Sequence, residues 1–368
     1  MTSSRAVTFI DLEKKYSRFS EKLHDDLDRV LSSGFFILGN EVKQFETSVK
    51  AFTGAKHAVA VANGTDALVL SLKAAGIKPG DEVITTPMTY LATASSIALV
   101  GAIPVFIDVD ASLNLDPDLI EDAITDRTRA ISVVHLAGVP AQAERIAEIA
   151  TKRGLVFIED CAQSLGATRN GKMTGTFGDF GTLSFHPLKN LGTLGDGGMI
   201  LVSNQDNGQW LGQARNHGHA GRDDCDFWSI NSRLDELHAA FLSSMLPRYA
   251  EELDCRRQLA QIYREELAGT VQFPLISQEN NASYNWVMLL VERRDELIEY
   301  LAGHGIEVKV HYPKLIPELK AAQNGCRIHG DLSNAKHMVK RILSVPMAEH
   351  ITVEDVRYVC QHIKTFYR

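Results

Sequence analysis

The chain has 368 residues, 45% of them hydrophobic and 23% charged, which is enough to bury one large core and a smaller second one. Asp and Glu number 46 against 38 Lys and Arg, a formal net charge of −8, and no Lys/Arg run or helix-turn-helix pattern is present, so nothing points to nucleic acid as a partner. No apolar run approaches the ~20 residues needed to span a bilayer, and the five cysteines follow no pairing pattern, so a reducing, cytoplasmic setting without membrane insertion is expected.

From Lys56 to about Asn204, short apolar runs alternate with helical patterns. Strands are expected over 58–62, 82–85, 104–107, 130–134, 155–159, 181–185 and 199–202, with helices such as 66–75 and 118–124 between them. Strands that are apolar on both faces and alternate with helices imply a mainly parallel sheet covered on both sides, an α/β domain. Beyond Arg233 the character changes. One long helix is expected from Leu234 to about Leu267, with a break near Pro247, and then a smaller α+β segment with strands at 286–291 and 308–311. The expected division is a large domain over 1–245, including the N-terminal arm, and a small C-terminal domain over 246–368.

Three clusters carry chemistry. The run Ser184-Phe185-His186-Pro187-Leu188-Lys189 places a lysine just past a strand. Lysines at strand ends ordinarily point to solvent, so this one gains meaning only from its neighbours. Glu159-Asp160 ends another strand, where open α/β sheets bind their ligands. A carboxylate there either caps the next helix or meets a cation such as a protonated pyridine nitrogen. Asn63-Gly64-Thr65-Asp66 follows a strand and opens a helix, which is ordinary turn-and-cap chemistry or a phosphate cradle of free N–H groups. Together the three supply an amine, a pyridinium partner and a phosphate cradle, as an aldehyde cofactor with a phosphate and a pyridine ring requires.

These residues resemble the DegT/DnrJ/EryC1/StrS sugar aminotransferases, which are pyridoxal-phosphate (PLP) enzymes of fold type I, the aspartate-aminotransferase architecture. The likeness runs through Gly34-Phe35-Phe36-Ile37-Leu38-Gly39, Asn63 to Leu68, Pro79 to Val83, Glu159-Asp160-Cys161-Ala162-Gln163, Ser184 to Lys189, Gly195-Asp196-Gly197-Gly198, Asn231 to Leu237 and His311-Tyr312-Pro313. The resemblance implies that Lys189 carries PLP as an internal aldimine and that Asp160 holds the pyridine nitrogen protonated. It also implies that Gln163 contacts the ring, that Tyr90 stacks on it, and that Gly64, Thr65 and Ser184 bind the phosphate. Asn231 would reach the cofactor phosphate of a neighbouring subunit, making a homodimer with shared sites. Arg233 would hold a carboxylate of the donor, and His186, His311 and Tyr312 would line the substrate pocket. The implied reaction moves the amino group of L-glutamate to a keto-sugar by ping-pong kinetics, most commonly a nucleotide-linked 3- or 4-keto hexose in amino-sugar or lipopolysaccharide biosynthesis.

The chain departs from the family pattern in places. His238 stands where the family usually has glutamine, and Met245 where lysine is frequent. These departures keep a free keto-sugar acid open as acceptor; a non-catalytic PLP-binding regulator is a further alternative, against which the joint presence of Lys189, Asp160 and Gln163 argues. A nicotinamide dehydrogenase is disfavoured, because no Gly-x-Gly-x-x-Gly follows the first strand. No metal is expected: the His217, His219 and Cys225 spacing fits no zinc pattern.

Overall fold

The computed structural model describes residues 5–323 and 325–368. Its main sheet is built from β1 (His57–Val61), β2 (Glu82–Thr85), β3 (Ile103–Phe106), β4 (Thr128–Val134), β5 (Val156–Asp160), β6 (Phe180–Ser184), β7 (Gly198–Val202) and a short β9 (Arg327–Ile328), the last following β8 (Val287–Leu290) in the chain. The spatial order is β1-β7-β6-β5-β4-β2-β3-β9. Pairings from β9 through β6 are parallel, and those of β7 with β6 and β1 are antiparallel. The sheet is thus mainly parallel, as expected, and each strand from 82–85 to 199–202 falls within two residues of its expected place.

Successive side chains of a strand point to opposite faces, and both faces here are apolar. On one, Val59, Val61, Val83, Ala130, Ile158, Phe180 and Ile200 meet Ala67, Leu68 and Leu70 of a helix over Gly64–Ala74. On the other, Ala60, Leu183, Met199 and Leu201 meet Val42, Phe45 and Val49 from Asn40–Thr53 at one end. Ile131, Val133 and Phe157 meet Ala143, Ile146 and Ala150 from Ala143–Arg153 at the other. In chain order these helices are named α1 (Leu12–Ser17), α2 (Ser20–Ser33), α3 (Asn40–Thr53), α4 (Gly64–Ala74), α5 (Leu91–Leu99), α6 (Ala143–Arg153) and α7 (Gln205–Ala214).

The helix expected over 234–267 is broken near Pro247, as expected, into α8 (Glu236–Met245) and α9 (Tyr249–Glu266), joined by a 3-10 turn over Leu246–Arg248. Pro247 has no N–H to donate, so the α-helical ladder cannot run through it unbroken. In the C-terminal part, β8 pairs antiparallel with β10 (Ile342–Val345), a strand that the sequence analysis did not anticipate. Helices α9, α10 (Arg294–Gly303) and α11 (Val353–Phe366) share its core, including Leu259, Tyr263, Leu289, Leu297, Leu343 and Val359. The expected strand at 308–311 is not one. Lys309 exchanges hydrogen bonds with Ser344 at 3.0 and 2.8 Å, and the pairing ends there. His311 then turns its ring face to face with Trp286, with centroids 4.0 Å apart.

The chain crosses between the two cores more than once. Val7 is buried in the C-terminal core and bridges Ile306, whereas α1 turns back toward the main sheet. Near the other end, β9 returns to extend that sheet beside β3.

Candidate active site

The carboxyl ends of β5 and β6 and the start of α4 meet at one place, where open parallel sheets bind ligands. Here β5 ends on Glu159 and Asp160, whose side chains leave the strand on opposite faces. Glu159 is saturated. Its oxygens accept the N–H groups of Gly175, Phe177 and Gly178 at 2.8–2.9 Å, and His135 Nε2 lies 3.0 Å away. Ala141 N–H donates to His135 Nδ1 at 3.0 Å, so the ring proton sits on Nε2 and points at Glu159. Cys161 lies within 4.8 Å of these two groups, but both already have partners, and burial pushes its thiol up.

Asp160 has capacity to spare. It is buried and, among the described residues, accepts only Thr93 Oγ1 at 2.8 Å and Ala162 N–H at 3.1 Å. Burial raises its carboxyl above the ordinary range, and the hydrogen bonds and Lys189 pull the other way. Thr93 is in turn 3.1 Å from Thr89, so a two-hydroxyl chain backs the carboxylate. Sequence reasoning missed both threonines, because a lone threonine early in a helix carries no signal of a contact 67 residues away.

Lys189 hangs from a tight turn beyond β6. Its N–H donates to His186 C=O at 2.8 Å, and Leu188 N–H donates to His186 Nδ1 at 3.2 Å. Burial pushes the Lys189 amine below the ordinary lysine range, and Asp160 opposes that shift. His186 itself is exposed; partial desolvation lowers its ring, Asp196 opposes, and Lys189 and Lys15 add to the lowering.

Gln163 is buried, accepting Ala137 N–H at 2.6 Å and donating to Tyr312 Oη at 3.2 Å, with a second N–H to spare. Tyr90, half-exposed at the start of α5, faces Tyr312 with ring centroids 6.0 Å apart. Burial, and then the Asp160 charge, push the Tyr312 hydroxyl up, which places this phenol near the carboxylate. Burial pushes the His311 ring down to about 4, with Lys189 and Lys309 contributing. Pairwise contacts and charge effects therefore bring Asp160, Gln163, Lys189, Tyr90, His311 and Tyr312 into one neighbourhood.

Gly64 and Ser184 also come together. A Cβ on Gly64 would lie 2.9 Å from Ser184 Cβ, and one on Gly198 would lie 2.3 Å from Asn63 C=O. Asn63 Oδ1 caps α4 by accepting Asp66 N–H at 2.8 Å. The N–H groups of Gly64 and Thr65 belong to the first helical turn, which has no intrahelical acceptor. Asn231 and Arg233 lie farther out. Ser232 Oγ between them accepts Ala62 N–H at 3.1 Å, fixing the segment against the end of β1. Arg233 donates to Asn231 at 2.6 Å and to Asn216 at 3.3 Å, and among the described residues no hydrogen bond joins either side chain to Lys189 or Asp160. Of the departures, Met245 is buried in the core, whereas His238 packs on Gly195, where a Cβ would lie 2.9 Å from its ring.

The residues present fit a phosphorylated pyridine aldehyde. Asp160 is a desolvated carboxylate with free lone pairs, and a cation brought to it would offset its burial penalty. Lys189 is an amine biased toward its neutral form, and the α4 start offers free N–H groups suited to an anion, with Gly64 packed where a Cβ would meet Ser184.

The DegT/DnrJ/EryC1/StrS aminotransferase family model matches residues 18–364. A protein of Geobacillus stearothermophilus named pleiotropic regulatory protein is 40% identical, over 98% of this chain and 99% of its own length. A UDP-N-acetyl-3-dehydro-alpha-D-glucosamine 3-aminotransferase of Acidithiobacillus ferrooxidans is 37% identical, over 99% of both. The crystal structure of S. venezuelae DesV in complex with a ketimine intermediate is 34% identical over 99% of each chain, with a TM-score of 0.96. The family is PLP-dependent, and similar solved structures include PLP and PMP forms. No helix among the described residues is long and apolar enough to cross a membrane.

Proposed function

The chain belongs to the DegT/DnrJ/EryC1/StrS aminotransferase family, and we propose that it moves the amino group of L-glutamate to a nucleotide-linked 3- or 4-keto hexose in amino-sugar biosynthesis. One observation carries the reading: a buried Asp160 and a half-buried Lys189 stand close enough at the strand ends for each to act on the other's charge. The relative named as a UDP-sugar 3-aminotransferase, 37% identical over nearly the whole chain, supports the acceptor class.

In this reading bound PLP supplies an electrophilic carbon and an electron-accepting ring. Asp160 keeps the ring nitrogen cationic, Gln163 and Tyr90 fix the ring plane, and Gly64, Thr65 and Ser184 hold the phosphate. Lys189 Nζ, disfavoured as an ammonium, attaches the cofactor and serves as the base that takes the α-proton of L-glutamate. In the second half-reaction the same nitrogen returns a proton to the sugar carbon. Arg233 binds the donor carboxylate, and His186, His311 and Tyr312 shape the acceptor side. Asn231 completes the phosphate site of a second subunit in a homodimer. The consecutive exposed side chains of Phe35, Phe36 and Ile37 support such an interface, since clustered large apolar side chains on a surface mark association sites.

A second reading, a PLP-binding regulator without turnover, is favoured by the name of the 40% identical relative. One experiment separates the two: an absorbance spectrum of the purified protein before and after L-glutamate, beside a Lys189→Ala control. The aminotransferase is yellow, loses that band on adding L-glutamate, and regains it with a keto-sugar acceptor, while Lys189→Ala does neither. A yellow wild type inert to glutamate and other amino donors points to the regulator, and a protein colourless even with added PLP refutes both.

A further inference from the structure

The turn that carries Lys189 is held from behind by the N-terminal helix. Asp11 caps α1 by accepting Lys14 N–H at 2.9 Å, and the next residue, Lys15, is turned inward and buried. Its ammonium donates to Lys189 C=O at 2.5 Å and to Pro187 C=O at 3.2 Å. One residue on, Tyr16 Oη donates to Thr193 C=O at 2.8 Å, and Thr193 N–H closes the loop onto Phe185 C=O at 2.8 Å. Helix α1 therefore pins both ends of the loop.

Packing alone does not hold this turn. Between it and α1 lies a cavity of about 70 Å³ lined by Lys15, Lys189, Asn285, Trp286, His311 and Glu349, among others. Two of its lining residues carry buried polar atoms, Asn285 Oδ1 and Trp286 Nε1, that have no hydrogen-bond partner among the described residues. A turn backed by such a cavity depends on directed bonds, and buried carbonyls must find donors. Lysine answers that need with three donors and no acceptor. Glu349, the carboxylate acting most strongly on Lys15, is already paired with Arg256 at 2.5 Å; Glu252, Arg18 and Arg256 are the other charges acting on the amine. Burial pushes Lys15 down to about 8, so it remains mostly protonated near neutral pH.

We propose that Lys15 is a positioning residue for Lys189, its ammonium fixing the turn that presents the Lys189 amine to the pocket. The proposal rests on the reading of Lys189 as the reacting lysine. It adds that the N-terminal helix, distant in sequence, sets where that amine sits.

The test is backbone hydrogen exchange by mass spectrometry on the full-length purified protein, comparing wild type, Lys15→Met and Lys15→Gln. In Lys15→Met, amides of 186–193 exchange about tenfold faster, while those of β4 and β5 stay within about twofold. Lys15→Gln, which keeps one amide donor, falls between. In glutamate-dependent turnover Lys15→Met loses roughly tenfold in kcat with the glutamate KM within about twofold, as expected when geometry and not donor binding is lost. Unchanged exchange at 186–193, or an equal rise in β4 and β5, overturns the proposal. Should Lys15→Met fail to fold, Lys15→Gln is read by the same criterion. A wild type that does not turn over glutamate defeats the assigned reaction alone, because the exchange result stands without turnover.

Discussion

Glu159 and Asp160 are neighbours in the chain and differ in what surrounds them. Three backbone N–H groups and His135 occupy Glu159, which is thereby committed to holding the 175–178 turn. Asp160, with two donors, retains lone pairs for a ligand. His311 shows the same dependence on surroundings. It stacks on Trp286 and is hydrogen-bonded through Nδ1 to Ser344 Oγ at 3.0 Å. Its folded value of about 4 lies below the ordinary histidine value of about 6.5. The unfolded chain therefore takes up this proton first, so the neutral ring's contribution to stability is intact above 6.5 and is lost as pH falls toward 4. We expect the His311 ring nitrogens to stay neutral at about pH 5.5 in a ¹⁵N-histidine titration. A midpoint near the ordinary histidine value would contradict the burial argument.

At the scale of elements, α3 shows how a helix can be capped from a distance. Gly39 precedes it without a side-chain cap, and the buried Glu236 of α8 stands in. Its oxygens accept the N–H groups of Gly39 at 2.7 Å, Glu41 at 2.9 Å and Val42 at 3.1 Å. A Cβ on Gly39 would lie 2.6 Å from Glu236 Oε2, so glycine is required for this approach. Both residues were visible in sequence only as parts of separate motifs, because nothing local links positions 39 and 236. Glu236→Ala leaves these N–H groups short of acceptors and is expected to cost on the order of 3 kcal/mol, read from the urea unfolding midpoint. Glu236→Gln, which still accepts through one oxygen, should lose less.

At the scale of the whole molecule, the exposed apolar side chains belong with the dimer proposal. Trp228 is 95% and Phe35 68% exposed in the single chain, an arrangement that solvent disfavours. If Asn231 serves the neighbouring subunit, mixing inactive Asn231→Ala and Lys189→Ala proteins rebuilds one intact site per mixed dimer. Random exchange then restores up to about a quarter of wild-type activity. No recovery after demonstrated subunit exchange would place Asn231 in its own subunit's site or outside it.

The sequence by itself determined the mainly parallel α/β sheet, because strands buried on both faces must be apolar throughout and so stand out as runs. It also marked the ends of those strands as the place for Gly64, Asp160, Ser184 and Lys189, since alternating strands and helices put the loops there. It missed β10 and extended a strand over 308–311, because in a short two-stranded sheet pairing depends on partners far away in the chain. Only the tertiary structure decided which donors Asp160 and Glu159 receive, that Lys15 sits behind Lys189, and that Glu236 caps α3. Apart from the Ala162 N–H on Asp160, each of those contacts joins residues separated by many positions, and local propensity and periodicity hold no record of them.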